Sequence, residues 1–289
     1  MYRLALSAAL VVTLPAFSHA QSEVQWTQTL STPKGATIPR DRADIVGIEM
    51  GDTYAEAKAK LLKLFEEGIQ PREAQEDVPP FTKYKVVPVK ETRTSLRFKA
   101  PGSSQIVTAS FVRRLKMERE TKGTGPRAID ETIEVVLSSP ASGHQVIGIE
   151  RTLEFRNESD QPRVSEFLAQ VNAKLKGQPR ISLIGDQGTY TYQFNDGNVV
   201  APSKSDNYCY TRHGDFQAAQ LVSINKTGDC DAVLQIKIGF GISRDHAKYI
   251  QFVFSDNDRV KANLTADFAF VENYVRTLQD KTRGATPKL

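Results

Sequence analysis

The residues able to do chemistry are few and widely spaced. Beyond position 20 the chain holds three histidines, His144, His213 and His246, and two cysteines, Cys209 and Cys230. His213 stands two residues from Asp215, and His246 sits beside Asp245. A zinc site draws three or four ligands, and neither pair has further ligands at metal spacing, so both read as surface polar residues. Asp256-Asn257-Asp258 lacks the central glycine and closing glutamate of a calcium loop; it reads as a turn followed by helix-start acids. No G-x-S-x-G elbow, H-E-x-x-H helix or phosphate-binding glycine loop occurs. The residues therefore imply no cofactor and no metal. An exported hydrolase with an unrecognised site around His213 or His246 stays as an alternative.

Two other groups stand out. Tyr190, Tyr192, Tyr208 and Tyr210 fall at alternate positions of two segments, so each pair shares one face of a strand. They either pack inward on a helix or form a binding surface, for which tyrosine's apolar ring and polar tip are suited. Cys209 and Cys230 are an even pair without the C-x-x-C spacing of redox sites, and are expected to form a structural disulfide in an oxidising compartment.

The start of the chain supplies that compartment. Arg3, an apolar run from Leu4 to Phe17 and the small-residue site Ser18-His19-Ala20 have the anatomy of a secretory signal peptide cleaved near Ala20. No cysteine adjoins the site, so no lipid anchor is expected, and no later run is long and apolar enough to span a membrane. The expectation is a soluble periplasmic or secreted protein. Losing Arg3, the only charged residue in that segment, lowers the formal charge from +4 to +3. So mild an excess does not point to nucleic acid. The basic run Arg113, Arg114, Lys116 and Arg119 carries mixed signs across neighbouring strands (Glu118, Glu120, Glu131, Glu134), which reads as a solvated sheet face.

The elements that position these residues follow from periodicity. Residues 21–43 read as an arm carrying Trp26, the single tryptophan, expected to pack back onto the domain. Thr53 and Glu56 form a capping box that opens a helix with Tyr54, Ala57, Leu61, Leu64 and Phe65 on its apolar face, ended by Gly68 as a C′ glycine. Strands follow: Thr94 to Ala100, Gln105 to Glu120 with Val107, Ala109, Phe111, Leu115 and Met117 on one face, and Glu131 to Leu137. Gln145 to Phe155 is the next, and its Ile147-Gly148-Ile149-Glu150 echoes Val46-Gly47-Ile48-Glu49. A second helix buries Val164, Phe167, Leu168, Val171 and Leu175. Strands at Thr189 to Phe194, Gln220 to Asn225, Ala232 to Phe240 and Lys248 to Phe254 precede a last helix from about Thr265 to Leu278, with Phe268, Val271, Val275 and Leu278 inward.

Runs of strands after each helix fit an α+β fold with antiparallel sheets, arranged as two helix-plus-sheet modules in tandem and a C-terminal helix. The divisions are 1–20 signal peptide, 21–43 arm, 44–143 and 144–280 modules, and 281–289 tail. Gly51-Asp52-Thr53-Tyr54-Ala55-Glu56-Ala57 with Ile48 and Leu61 resembles the G-M-[ST]-x-x-E-[VA] signature of the SmpA/OmlA family and of the β-lactamase-inhibitor-protein-like fold. The resemblance implies helices against small antiparallel sheets, in tandem for the inhibitor type. Asp52 stands where that signature has Met. The function these readings favour is a non-catalytic binding or protein-interaction module that contacts an envelope or secreted protein. A small-ligand carrier using the space between helix and sheet is the further alternative.

Overall fold

The computed structural model describes residues 24–29, 35, 44–68, 87–99, 106–121, 129–201, 230–241 and 243–282. The expected strand at Gln220 to Asn225 lies outside them. A two-residue hairpin, β1 (Asp44–Ile45) and β2 (Ile48–Glu49), leads into α1 (Tyr54–Glu67). Four strands follow: β3 (Lys90–Lys99), β4 (Ile106–Thr121), β5 (Ile129–Leu137) and β6 (Val146–Phe155). Then come α2 (Val164–Leu175), β7 (Arg180–Ile184), β8 (Gln187–Asn195), the short β9 (Asn198–Val199), β10 (Ala232–Phe240), β11 (Ala247–Asp256) and α3 (Asn257–Thr282). The fold is α+β. One antiparallel sheet runs β3-β4-β5-β6-β11-β10-β8-β7, with β9 beside β8.

Alternation along the strands sends side chains to two covered faces. On one, Leu115, Met117, Ile133, Val135, Ile149, Tyr190, Tyr192, Phe194, Ile236, Ile250 and Phe254 pack under Ala57, Leu61 and Phe65 of α1 and Val164 and Leu175 of α2. On the other, Val136 and Ile147 meet Val260 and Leu264 of α3. Ala109 with Leu96, Phe98 and Val107 meets Ala266 and Phe270 there. Trp26 joins this second layer as expected, stacked on Phe270 at 4.5 Å and edge-on to Phe111 at 5.5 Å. Thr29 ties the arm to Ala141 through its N–H at 3.0 Å and to the Ala266 carbonyl through its hydroxyl at 2.9 Å.

Both helices of the first layer are entered in the same way. The Tyr54 N–H donates to the His144 carbonyl at 3.0 Å and the Val146 N–H to the Asp52 carbonyl at 2.8 Å. At α2 the Val164 N–H donates to the Asp245 carbonyl at 2.9 Å and the Ala247 N–H to that of Pro162 at 3.1 Å. Thr53 bridges Gln145, and Arg163 bridges His246. Each helix start is thus stitched to the start of the last strand in the run that follows it. The capping box of α1 is formed, with Glu56 returning to the Thr53 N–H at 2.8 Å. α2 has no side-chain cap, so the backbone stitching holds its first turn.

Four expectations are corrected. Gly68 ends α1 in an extended conformation (φ −84°) rather than left-handed; Arg119 lies where its Cβ would be. β4 does not keep one apolar face. Its register with β3 slips beside Arg113, so Ala109 faces α3 whereas Leu115 and Met117 face α1. Such a bulge inserts one residue and reverses the alternation beyond it. The last helix starts at Asn257, with no turn, because Asp256 at the end of β11 accepts from the Arg259 N–H at 2.9 Å. Its buried stripe is Val260, Asn263, Leu264, Ala266 and Phe270, while Phe268 is 41% exposed. Two polar residues within the stripe, Asn263 and Asp267, displaced the apolar-only phase. Finally, Glu131 is not on a solvated face but buried.

Candidate functional site

A cavity of about 220 Å³ opens between the β1–β2 hairpin, α2 and the centre of the sheet. β10 and β11 supply its floor with Leu234, Phe252 and Phe254, α2 one wall with Val171 and Leu175, and the hairpin the opposite wall with Ile45 and Val46. These are apolar because the stripe of α2 and the inward positions of the strands exceed what the two helices cover. Three charged residues complete the lining: Arg151 from β6, Lys174 from α2 and Asp44 from β1.

The charges are organised. Arg151 Nε donates to Glu131 at 2.6 Å, and Arg119 Nε reaches the other carboxylate oxygen of the same residue. The Glu131 side chain is 0% exposed, Arg119 10% and Arg151 23%. Arg119 also donates to the Leu64 carbonyl near the end of α1. A buried carboxylate is costly unless paired and hydrogen-bonded, and two guanidiniums meet that need here. The Arg151 guanidinium lies 5.9 Å from the centre of the Phe252 ring, a cation–π distance. At the rim, Lys174 Nζ donates to Asp44 at 3.1 Å, and the other Asp44 oxygen accepts the Gly47 N–H at 3.0 Å.

The hairpin turn beside the cavity is strained. Val46 (φ 50°) and Gly47 (φ 82°) are its two central residues, both left-handed. Glycine accepts this, but a β-branched residue is an outlier there. Such strain persists where surrounding structure imposes it and is frequent at binding sites.

The sequence-derived candidates fall elsewhere. Tyr190 and Tyr192 are brought together on β8 but are buried (5% and 0%) beneath α2, with Tyr192 Oη donating to Asn172 at 2.7 Å. Burial pushes both phenol pKa values up. Tyr208, Tyr210, Cys209 and His213 lie outside the described residues. Cys230 is buried near Asn257, and its pairing with Cys209 stays an expectation. His144 stacks on Tyr54 at 5.0 Å and bonds the Val112 carbonyl at 2.7 Å; burial holds its pKa down. His246 Nδ1 lies 3.2 Å from Ser243 Oγ in the exposed β10–β11 connection. That contact spans three residues and closes the turn, and neither residue lines the cavity. Among the described residues no group of three or more His, Cys, Asp or Glu is placed to hold a metal.

A second polar cluster sits on the opposite face, under α3. Asn263 Oδ1 accepts from the Ser139 N–H at 2.8 Å and from Ser142 Oγ at 2.9 Å, and Ser139 Oγ donates to Asp267. Burial raises the Asp267 carboxyl from its ordinary 3.8 to about 6, against the lowering effect of the Ser139 hydrogen bond and of Arg113.

The cavity was missed in the sequence because its lining comes from positions 44 to 254 and carries no motif. Among the described residues no helix is long and apolar enough to cross a membrane. No family model, curated protein or solved structure matches the chain.

Proposed function

We propose that this is an exported, non-catalytic binding protein that holds a small ligand in the cleft between the β1–β2 hairpin and α2. The observation that carries the reading is the apolar cavity with its paired charges, the arrangement by which small-molecule sites combine burial with orientation. Export rests on the Met1–Ala20 sequence. The proposal includes two helix-plus-sheet modules in tandem, as in the β-lactamase-inhibitor-protein-like resemblance. Support comes from α1 followed by β3 to β6, α2 followed by β7, β8, β10 and β11, and the matching stitches at the two helix starts. On that reading the boundary falls after β6 rather than between residues 143 and 144 as expected from the sequence, the modules join through β6 and β11, and the cleft lies at their seam. The test is to denature purified protein and extract small molecules for mass spectrometry. A compound present at near one equivalent in wild type and absent from Val171→Phe, which fills the cleft, is expected; no compound in either protein would refute retention of a ligand.

A second reading, contact with an envelope or secreted protein, is favoured by β7. This edge strand pairs only with β8 among the described residues and exposes Ile181 (57%), Leu183 (58%) and Ile184 (77%). The other edge, β3, carries Lys90, Arg93, Arg97 and Lys99, the usual protection against edge pairing. Ile181→Lys is expected to weaken such a contact without loss of stability, measured by cross-linking in the native envelope. An unchanged cross-link pattern would remove this reading.

A further inference from the structure

We propose that the ligand of the cleft is a small amphipathic anion: a carboxylate on an apolar body, about six to ten non-hydrogen atoms in all for a cavity between a benzene-sized void and a drug-sized pocket. This rests on the cleft being the binding site. Size follows from the volume of about 220 Å³. The apolar body follows from Leu234, Phe252, Phe254, Val171, Leu175 and Ile45, which offer no hydrogen bond from their side chains.

The sign of charge follows from the pairing. Arg119 and Arg151 share the single carboxylate of Glu131, so this buried group keeps one positive charge in excess. Lys174 and Asp44 at the rim cancel. The surplus is placed on Arg151, the member of the triad that lines the cavity. Its Nε is committed to Glu131, and among the described residues no other hydrogen-bond partner takes its terminal nitrogens. Glu131 and the Phe252 ring hold the guanidinium in place, so little side-chain freedom remains to be lost on binding. A carboxylate meeting those nitrogens forms a charge-assisted pair in a setting of low polarity, where it is stronger than in water. An ammonium ligand would meet the excess positive charge instead.

Hexanoate, hexan-1-ol and hexylammonium share one apolar body and differ in charge, so calorimetric titration of the purified protein with each separates the contributions. Hexanoate is expected to bind at least tenfold more tightly than hexan-1-ol, and hexylammonium more weakly than either. Arg151→Gln should lower hexanoate affinity at least tenfold and hexan-1-ol affinity by far less. Val171→Phe, which keeps the triad intact, should abolish binding of both and serves where Arg151→Gln does not fold. Hexan-1-ol binding as tightly as hexanoate in wild type would overturn the anion assignment while leaving the cleft as a site. Absence of binding by all three, or binding undiminished in Val171→Phe, would overturn the cleft reading itself.

Discussion

Asp267→Asn isolates the energetic effect of one buried carboxyl under α3. Burial raises its pKa from 3.8 to about 6. The native state therefore holds this proton more tightly than the unfolded chain, and the stability it contributes is full below the unfolded value and lost as pH rises through about 6. A rise from 3.8 to about 6 corresponds to roughly 3 kcal/mol between the acid and alkaline limits, and about 1.4 kcal/mol of it falls between pH 5 and pH 7.5. His144 contributes with the opposite sign. Its lowered pKa favours the neutral ring, so its contribution is present above the unfolded value and lost on acidification. The wild-type pH profile alone thus mixes the two. Subtracting the wild-type profile from that of the Asp267→Asn variant removes the His144 part, and that difference is the quantity to measure. Urea unfolding at both pH values should show the variant gaining about 1.4 kcal/mol relative to wild type on going from pH 5 to pH 7.5. The substituted amide can still accept from Ser139 through its oxygen, so the comparison keeps the main contact. A difference independent of pH would show that Asp267 is ionised normally, and would refute the link between its burial and the docking of α3.

Other expectations follow from single contacts. Thr53→Ala removes the capping box of α1 and should cost about 1 kcal/mol, read from the denaturant midpoint. Glu131→Gln leaves Arg119 and Arg151 without their shared counter-charge and should cost about 3–5 kcal/mol, whereas replacing all three by apolar residues of similar volume should recover most of it. Val46→Asn puts a residue tolerant of left-handed φ in the hairpin turn and should raise stability by roughly 1 kcal/mol in thermal unfolding. Phe270→Ala removes the ring on which Trp26 stacks, and should shift its fluorescence to the red before global unfolding.

The elements that local physics dictates were legible in the sequence. The Thr53–Glu56 cap, the α2 stripe, the Tyr190-Tyr192-Phe194 alternation and the turn at Asp196-Gly197 all read correctly, because each depends on neighbours within a few positions. What failed depended on distant partners. Arg113 interrupts the apolar alternation of β4 in the sequence, but that the strand changes faces there depends on a distant partner; its guanidinium reaches the Leu137 carbonyl, on the neighbouring strand β5. Glu131 looked like a surface charge because its partners, Arg119 and Arg151, lie on two other strands. Asn263 and Asp267 look like solvent-facing residues until Ser139 and Ser142 are brought beneath them. β7 was overlooked although Ile181 and Leu183 alternate with Arg180 and Ser182, because the run is only five residues long and ends at the Gly185 turn. The cleft combines all these failures: its surface belongs to no single segment.

The pairing of β6 with β11 has a consequence for how the chain comes together. β3 to β6 pair in sequence, each with the next, so their contacts close short loops. The β6–β11 ladder instead pairs Ile149 with Phe254 and Leu153 with Ile250, about a hundred residues apart, a separation that slows formation of such contacts. A chain that emerges from its N-terminus first can therefore complete its opening half while β6 still lacks its second neighbour. During that interval Ile149 and Leu153 lie on a strand paired on one side only, and a central strand of the finished protein is temporarily an edge. A fragment ending shortly after Asp160 would keep that edge permanently and should aggregate, and arrival of β11 is the step that ends the hazard.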